Sequence, residues 1–450
     1  MKIGLLPLYI ALYDESSPHC RPRLESFYDR IAKEFEERGI EVVRTEDFCR
    51  LKPEFEKAVN TFEDEQVDAI VTIHMAYSPS LESIEALAGT KLPLVVLDTT
   101  ETLEFTNMQN PGEIMYNHGI HGVMDMCSML KRYGKPFAIA TGHYSESKVI
   151  DEACGLVRAA VAAKALSSAH VGLVGGAFDG MGDFGVEPKE LKQRFGIVVE
   201  DIEPELLHEY ASKVSDEEVA AAVQADKEQF AFSEDIDEEK YVHITRVCLG
   251  LRKCIEEKGL TAFSANFRNV KEMPFIECCK AMERGIGYAG EGDGLTSAFV
   301  GALLKAYPET NFVEIFCPDW KNNVLFLSHM GETNYRVVDT KPLVCKKGGL
   351  VDTFVANARM KGGKGVFVNI SREQDDYQML LASAEMLSYR EDNFPTSIRG
   401  WMKPQQGNVA EFLKTHSMHG ATHHSIFVYG ATVEELEFFG KLLSMKTVVI

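Results

Sequence analysis

Four short stretches of the chain combine carboxylates or imidazoles with apolar flanks: "AGEGD" with Glu291 and Asp293, "NFVEIF" with Glu314, "LSHMGE" with His329 and Glu332, and "GATHHSIF" with His423 and His424. Each begins or ends an apolar run, so its charged side chains are delivered to the edge of a packed element rather than to a loose loop. Two carboxylates and two imidazoles that converge would make a borderline-hard divalent site, suited to Mn²⁺, Co²⁺ or Mg²⁺ and unlike a structural thiolate zinc site. Taken singly, a glutamate at a strand end also reads as a solvated edge, and a histidine in a strand as a satisfied core or turn residue. Gly290 and Gly292 let the backbone turn sharply and keep the space beside Glu291 open. Asp293 is expected to orient a ligand or to cap the helix that starts near Leu295.

The elements that must position these groups follow from periodicity. Short apolar runs, "KIGLLPLY", "VDAIVTIH", "LPLVVLDTT" and "FAIATGH", alternate with helical patterns such as Leu24, Phe27, Ile31 and Phe35, closed by Gly39. This is the βα alternation of buried parallel strands. A further strand, "HVGLVGG", opens a second α/β unit that runs through "GLTAFSANFRN" to AGEGD, interrupted by an acidic stretch from Asp226 to Lys240 that reads as a solvated helix face or loop. Beyond Pro308 shorter apolar runs are separated by Gly, Asn and charged turns, which predicts antiparallel structure. The expected fold is α/β: two Rossmann-like, doubly wound parallel-sheet domains over residues 1–165 and 166–308, then a mostly antiparallel, β-barrel-like domain over 309–450.

Length and composition set outer limits. A chain of 450 residues exceeds what one core organises. Its formal charge of −21 argues against a broad nucleic-acid surface. The ten cysteines show no CxxC pair, and no run approaches the roughly 18 apolar residues of a membrane span. The first residues form a strand-like run without the features of a secretory leader, so the cytoplasm is the expected location. Neither GxGxxG after the first strand nor GxxxxGK[ST] occurs, which disfavours dinucleotide and nucleotide chemistry.

The same stretches carry a resemblance. "GIGYAGEGDGLTSAF", "NFVEIF", "LSHMGE" and "GATHHSIF" stand in the order, and at about the spacings, of the metal-binding segments of the L-arabinose isomerase family, whose pattern resembles GGEGDWKTAA, MEDY, GSHM and GGAHHTVF. "NHGIHGVMDM" and "PFAIATGH" are similar to the family's NQTAHGG and VVTGH segments. The resemblance implies an aldose–ketose isomerase working through an enediol, with Glu291, Glu314, His329 and His424 holding a divalent metal, Mn²⁺ first and Co²⁺ or Mg²⁺ as alternatives. Glu291 and Glu314 would also share the acid and base roles. His423 is the rival of His424, because two adjacent rings on a strand point to opposite faces; the one that misses the ion would stand behind the ligands or face the substrate. Phe267 and Met181 match apolar positions of the family's sugar pocket and read equally as core. The family takes a further histidine from a neighbouring subunit, matched here by His121, which implies a homotrimer or homohexamer with active sites at subunit interfaces.

The chain also departs from the family pattern. The Trp-Lys after GEGD is replaced by Gly294 and Leu295, and the first loop, "GLLPLYIALYDESSPHCRPR", lacks the family's GSQ-like start. Arg21 and Arg23 stand there instead. Their forks would suit an anionic sugar such as sulfoquinovose, and they read equally as a solvated helix N-terminus. An L-arabinose-type pentose, a hexose or a modified hexose all remain candidate substrates, with a metal-dependent epimerase as the alternative reaction.

Overall fold

The apolar runs of the first third become strands β1 (Lys2–Leu8), β2 (Glu41–Arg44), β3 (Ala69–His74), β4 (Leu94–Asp98) and β5 (Phe137–Thr141). The computed structural model describes residues 1–349 and 351–450 and divides into two units, Met1–Val161 and Ala162–Ile450. In the first unit all five strands are parallel, in the order β2-β1-β3-β4-β5. That is the flavodoxin-like order of a doubly wound sheet, whereas the Rossmann order is 3-2-1-4-5-6, so the Rossmann-like description holds only loosely. β3 is buried along its whole length, as are Leu94–Leu97 of β4, which is why their sequences read as unbroken apolar runs. The helix Arg21–Glu37 buries Leu24, Phe27, Ile31 and Phe35, the predicted stripe.

The second unit begins with β6 (His170–Val174), β7 (Val198–Ile202), β8 (Ala231–Phe232), β9 (Ala262–Ala265) and β10 (Gly287–Gly290). Strands β10-β9-β6-β7 form a four-stranded parallel sheet. Their carboxyl ends deliver the glycine-rich segment after Val174, Asn266 and Phe267 after β9, and Glu291 after β10, the edge at which open α/β sheets bind ligands. The acidic stretch 226–240 is solvated as read, with Glu228, Glu234, Asp235, Asp237, Glu238 and Glu239 all exposed, and Asp226 is the exception. Asp226 is buried, accepting a 2.8 Å hydrogen bond from Tyr241 and pairing with Lys280. The reason is a charge partner 54 residues away, which local composition does not reveal.

The strands that follow are β11 (Thr310–Asp319), β12 (Val324–Ser328), β13 (Leu343–Lys347), β14 (Thr353–Asn357), β15 (Gly363–Glu373), β16 (Asp376–Met386), β17 (Gly400–Pro404), β18 (His424–Tyr429) and β19 (Lys446–Val449). Six of them, in the order β15-β18-β11-β12-β17-β16, are joined antiparallel, and pairing of β15 with β16 closes the ring. The barrel-like expectation thus becomes a closed barrel, with β19 added parallel to β16. Val313, Leu325, Leu327, Phe367, Met402 and Phe427 belong to one buried cluster of this barrel. Phe312 and Glu314 alternate with Val313 along β11 and therefore share its other face. β14, β13 and β8 make a separate small sheet.

Candidate active site

Register on three adjacent barrel strands gathers three of the four expected ligands. Glu314, within β11, pairs with His424 at the start of β18 on one side and with Ser328 at the end of β12 on the other, and His329 is the next residue after β12. Glu291 arrives from the parallel sheet. His329 Nε2 stands 3.7 Å from Glu314 Oε2, and His424 Nε2 stands 3.5 Å from Glu291 Oε2. The two rings meet edge to face at 5.9 Å, and fully buried Phe312 packs against both.

Each buried imidazole is held from behind by a carboxylate. Glu332 Oε2 lies 2.7 Å from His329 Nδ1 and also accepts from Gly331 N–H, while its Oε1 accepts from Tyr288 Oη at 2.8 Å. Asp293 divides its oxygens: Oδ1 accepts from Thr296 N–H at 2.8 Å, capping the helix Gly294–Ala306, and Oδ2 lies 3.0 Å from His424 Nδ1. The capping expectation for Asp293 is therefore met, and the same carboxylate also holds the His424 ring. A carboxylate on Nδ1 fixes the proton there and turns Nε2 toward the cluster. His424 Nε2 is buried and makes no hydrogen bond, with Glu291 Oε2 facing it at 3.5 Å.

The glycines of AGEGD have distinct jobs. A Cβ on Gly290 would lie 2.6 Å from His329 Cε1, so this glycine makes room for the ring. Gly292 has φ +88°, and its Cβ would fall 2.3 Å from Ala177 Cα. Between them Glu291 adopts φ +66°, uncommon for a side-chain-bearing residue. The turn is held by Ser264 Oγ, which donates to Ala289 O and accepts from Gly292 N–H, and by Phe178 N–H donating to Glu291 O at 2.9 Å.

His423 does not behave as half of an alternating strand pair. β18 starts only at His424, so alternation does not apply, and His423 Nε2 also reaches within 3.5 Å of Glu291 Oε2. Glu291, His423 and His424 each place a ligand atom within 4.8 Å of the others and make a possible metal-binding group. Sequence reading missed the partner of His423 altogether. Asp183 Oδ2 lies 2.6 Å from its Nδ1 and accepts from its backbone N–H at 2.9 Å, and the neighbouring Phe184 stacks on His424 at 4.8 Å. Phe267 and Met181 are both half-buried and meet at Phe178: Phe267 through a ring contact at 5.5 Å, Met181 through a backbone hydrogen bond.

The electrostatics separate the two glutamates. Burial works against ionisation of Glu291, but His423 and His424 outweigh it and hold the carboxyl at about 2. Burial dominates at Glu314 and pushes its carboxyl up. Burial also opposes the charge on His424, yet Asp293 and Glu291 prevail and hold the imidazole at about 9. Asp183 and Glu291 hold His423 at about 10.

Three expected residues belong to the first unit. His121 is exposed at the start of the helix Ile120–Arg132, with Tyr77 at 4.7 Å and His118 at 5.2 Å. Arg21 pairs with Asp14, Glu25 and Asp47, and Arg23 with Glu101 and Glu113.

Replacing Asp293 by Ala removes a helix cap, about 1 kcal/mol, and strands a buried imidazole N–H, about 1–3 kcal/mol. The unfolding midpoint is expected to fall by roughly 3–7 °C in calorimetry. A variant that melts with the parent would show that Asp293 supports neither element.

Comparison with known proteins extends these observations. The L-arabinose isomerase central domain matches residues 186–307 and the L-arabinose isomerase C-terminal domain matches residues 309–446. An L-arabinose isomerase from Erwinia tasmaniensis is 23% identical, covering 86% of this chain and 81% of its own. One from Geobacillus thermodenitrificans is 25% identical at the same coverages, and L-arabinose isomerase 1 from Clostridium acetobutylicum is 25% identical over 88% of this chain and 84% of its own. Among solved structures, a periplasmic solute-binding protein from Actinobacillus succinogenes with bound D-allose covers 68% of this chain and 91% of its own at 12% identity and a TM-score of 0.19, too low to carry a structural argument. Two consecutive domain matches, and relatives aligned along most of the chain, place it in the L-arabinose isomerase superfamily.

Proposed function

We propose that the protein interconverts a free aldose and its ketose, with Glu291, Glu314, His329 and His424 as the ligands of a divalent ion. The observation that carries this reading is the buried, unbonded His424 Nε2 facing Glu291 across 3.5 Å, with His329 and Glu314 similarly opposed across 3.7 Å. Such separations suit donors that share an ion at about 2.1 Å each better than they suit hydrogen bonds. Two imidazoles and two carboxylates fit Mn²⁺, with Co²⁺ or Mg²⁺ as alternatives. Bound there, the ion would supply Lewis-acid polarisation of the sugar's C1 and C2 oxygens and fix its orientation.

The protein's own groups then divide the proton transfers. Isomerisation takes a proton from C2 and returns one to C1, while another moves between the oxygens. Glu314 suits the carbon-bound proton: burial makes it the more basic carboxylate, and its side chain is one-fifth exposed. Glu291 is held ionised and suits coordination together with the hydroxyl proton, which His423 Nε2, 3.5 Å away, can help to pass on. Phe267 and Met181 would border the sugar on its apolar side. A neutral aldose, an L-arabinose-type pentose or a hexose, is favoured over sulfoquinovose, because Arg21 and Arg23 are already engaged by carboxylates. We place the protein in the cytoplasm as a homotrimer or homohexamer, with His121 of a neighbouring copy completing the site; its exposure in the first unit supports that role.

The decisive assay is a screen of aldoses with Mn²⁺, scored for a ketose of unchanged carbon number, with and without chelator. Glu291→Gln, Glu314→Gln and His329→Ala should each lose on the order of 10²-fold or more in kcat/KM while remaining folded. Wild-type turnover in any one of them would refute the site, and an inverted aldose as product would favour the epimerase.

Proton linkage gives a second test. In the metal-free protein His424 stays protonated up to about pH 9, whereas an ion requires its neutral form. Mn²⁺ affinity should therefore rise with pH from 6 to about 9, approaching roughly tenfold per unit, then level off. Titration calorimetry in buffers of different ionisation enthalpy should register the released proton. Subunit sharing predicts that inactive His121→Ala and Glu314→Gln variants regain activity when co-assembled, and no recovery would remove His121 from the site.

A further inference from the structure

The segment from Gly175 to Gly185 lies outside both matched domain stretches, yet it touches three site residues. Its sequence, "GGAFDGMGDFG", carries five glycines, of which Gly175, Gly176 and Gly180 have positive φ. Phe178 donates its backbone N–H to Glu291 O, Phe184 stacks on the His424 ring at an interplanar angle of 12°, and Asp183 engages His423. The Asp183 contact is double. One oxygen, Oδ2, lies 2.6 Å from His423 Nδ1 and 2.9 Å from its backbone N, so a single exposed carboxylate fixes both the main chain and the ring of the residue preceding β18.

We infer that Asp183 is a positioning residue that acts through His423: it holds the proton on Nδ1 and aims Nε2 at Glu291 and the oxygen of the bound substrate. The geometry repeats the arrangement behind His329 and His424, where Glu332 and Asp293 occupy Nδ1. The difference is burial. Glu332 and Asp293 are buried and held by further hydrogen bonds, Glu332 from Tyr288 and Gly331 and Asp293 from Thr296, whereas Asp183 sits exposed on a glycine-rich loop, so the orientation of His423 depends on where that loop rests. Without Asp183, the ring loses the contact at Nδ1 that fixes its rotation about the Cβ–Cγ bond. The consequence belongs to turnover rather than to ion affinity, because His329 and His424 keep the carboxylates behind them and Glu291 keeps His424.

This inference rests on the isomerase reading, and the experiment separates the two. Asp183→Ala and the isosteric Asp183→Asn are assayed for aldose isomerisation with Mn²⁺, alone and combined with His423→Ala, and Mn²⁺ binding is measured by calorimetry. The expected result is a loss of roughly 10- to 100-fold in kcat for Asp183→Ala, a change in Mn²⁺ affinity below about threefold, and no further loss when Asp183→Ala is added to His423→Ala. Losses that multiply in the double variant would overturn the proposal, because a carboxylate that merely anchors the loop through the backbone N–H of residue 423 would still matter without the ring. An unchanged kcat in both single variants would overturn it too. An independent readout uses protein labelled with ¹⁵N-histidine, in which the His423 resonances, assigned with His423→Gln, report the hydrogen bond from Nδ1–H to the carboxylate. Loss of the hydrogen-bonded Nδ1–H signal in Asp183→Ala supports the proposal even if no aldose is turned over, and its retention refutes the proposal even if the enzyme is active.

Discussion

The grip of a carboxylate on the back of each buried imidazole is the constraint from which the site follows. A neutral histidine has two equivalent choices of proton position, and in a buried place an unpaired N–H costs about 1–3 kcal/mol. Glu332 and Asp293 remove that choice for His329 and His424. Once Nδ1 is committed, Nε2 has only the interior of the site to face, where Glu314 and Glu291 wait at distances too long for good hydrogen bonds. The arrangement is unsatisfied as it stands. It is stable because Asp293 serves the helix Gly294–Ala306 as well as the imidazole, so the same carboxylate supports fold and site together.

Closure of the barrel supplies the rest of the rigidity. Glu314, His329 and His424 come from neighbouring strands of a ring without a free edge, where a register slip in one strand would have to pass through all six. Glu291 comes from the parallel sheet and is placed by a strained turn. The proposed site therefore has three members set by barrel register and one by a loop conformation, and preorganisation of that kind is what the proposed proton transfers would need.

Much of this is legible in the sequence, for identifiable reasons. Buried strands announce themselves as unbroken apolar runs, and the change to short runs after Pro308 marks the antiparallel region. The order 2-1-3-4-5 and the pairing of β15 with β16 leave no local trace, because neighbours in a sheet are chosen by packing between distant segments. The same limit explains the site. Glu291, Glu314, His329 and His424 are visible because each lies in a dense local motif. Asp183 is not, since its meaning depends on a residue 240 positions away. The alternation argument at His423 and His424 fails for a smaller reason: it assumes a strand that begins one residue earlier than it does. Arg21 and Arg23 mislead in the opposite direction, for their carboxylate partners Asp47, Glu101 and Glu113 are spread along the chain.

The local rule most clearly broken in the second unit is broken at Glu291. A glutamate in the left-handed region costs roughly 1–2 kcal/mol relative to an ordinary conformation, and glycine, which stands on both sides of it, would relieve that strain at once. The chain instead keeps the side chain and places the glycines where His329 and residue 177 crowd the backbone. Hydrogen bonds from Phe178 N–H to Glu291 O and from Glu291 N–H to Ala265 O hold the conformation against its own preference. A purely structural strand-to-helix turn has no use for such an arrangement. A carboxylate that must project from the carboxyl edge of a sheet toward imidazoles carried by a separate barrel does, because a right-handed or extended residue at that position would send the side chain elsewhere.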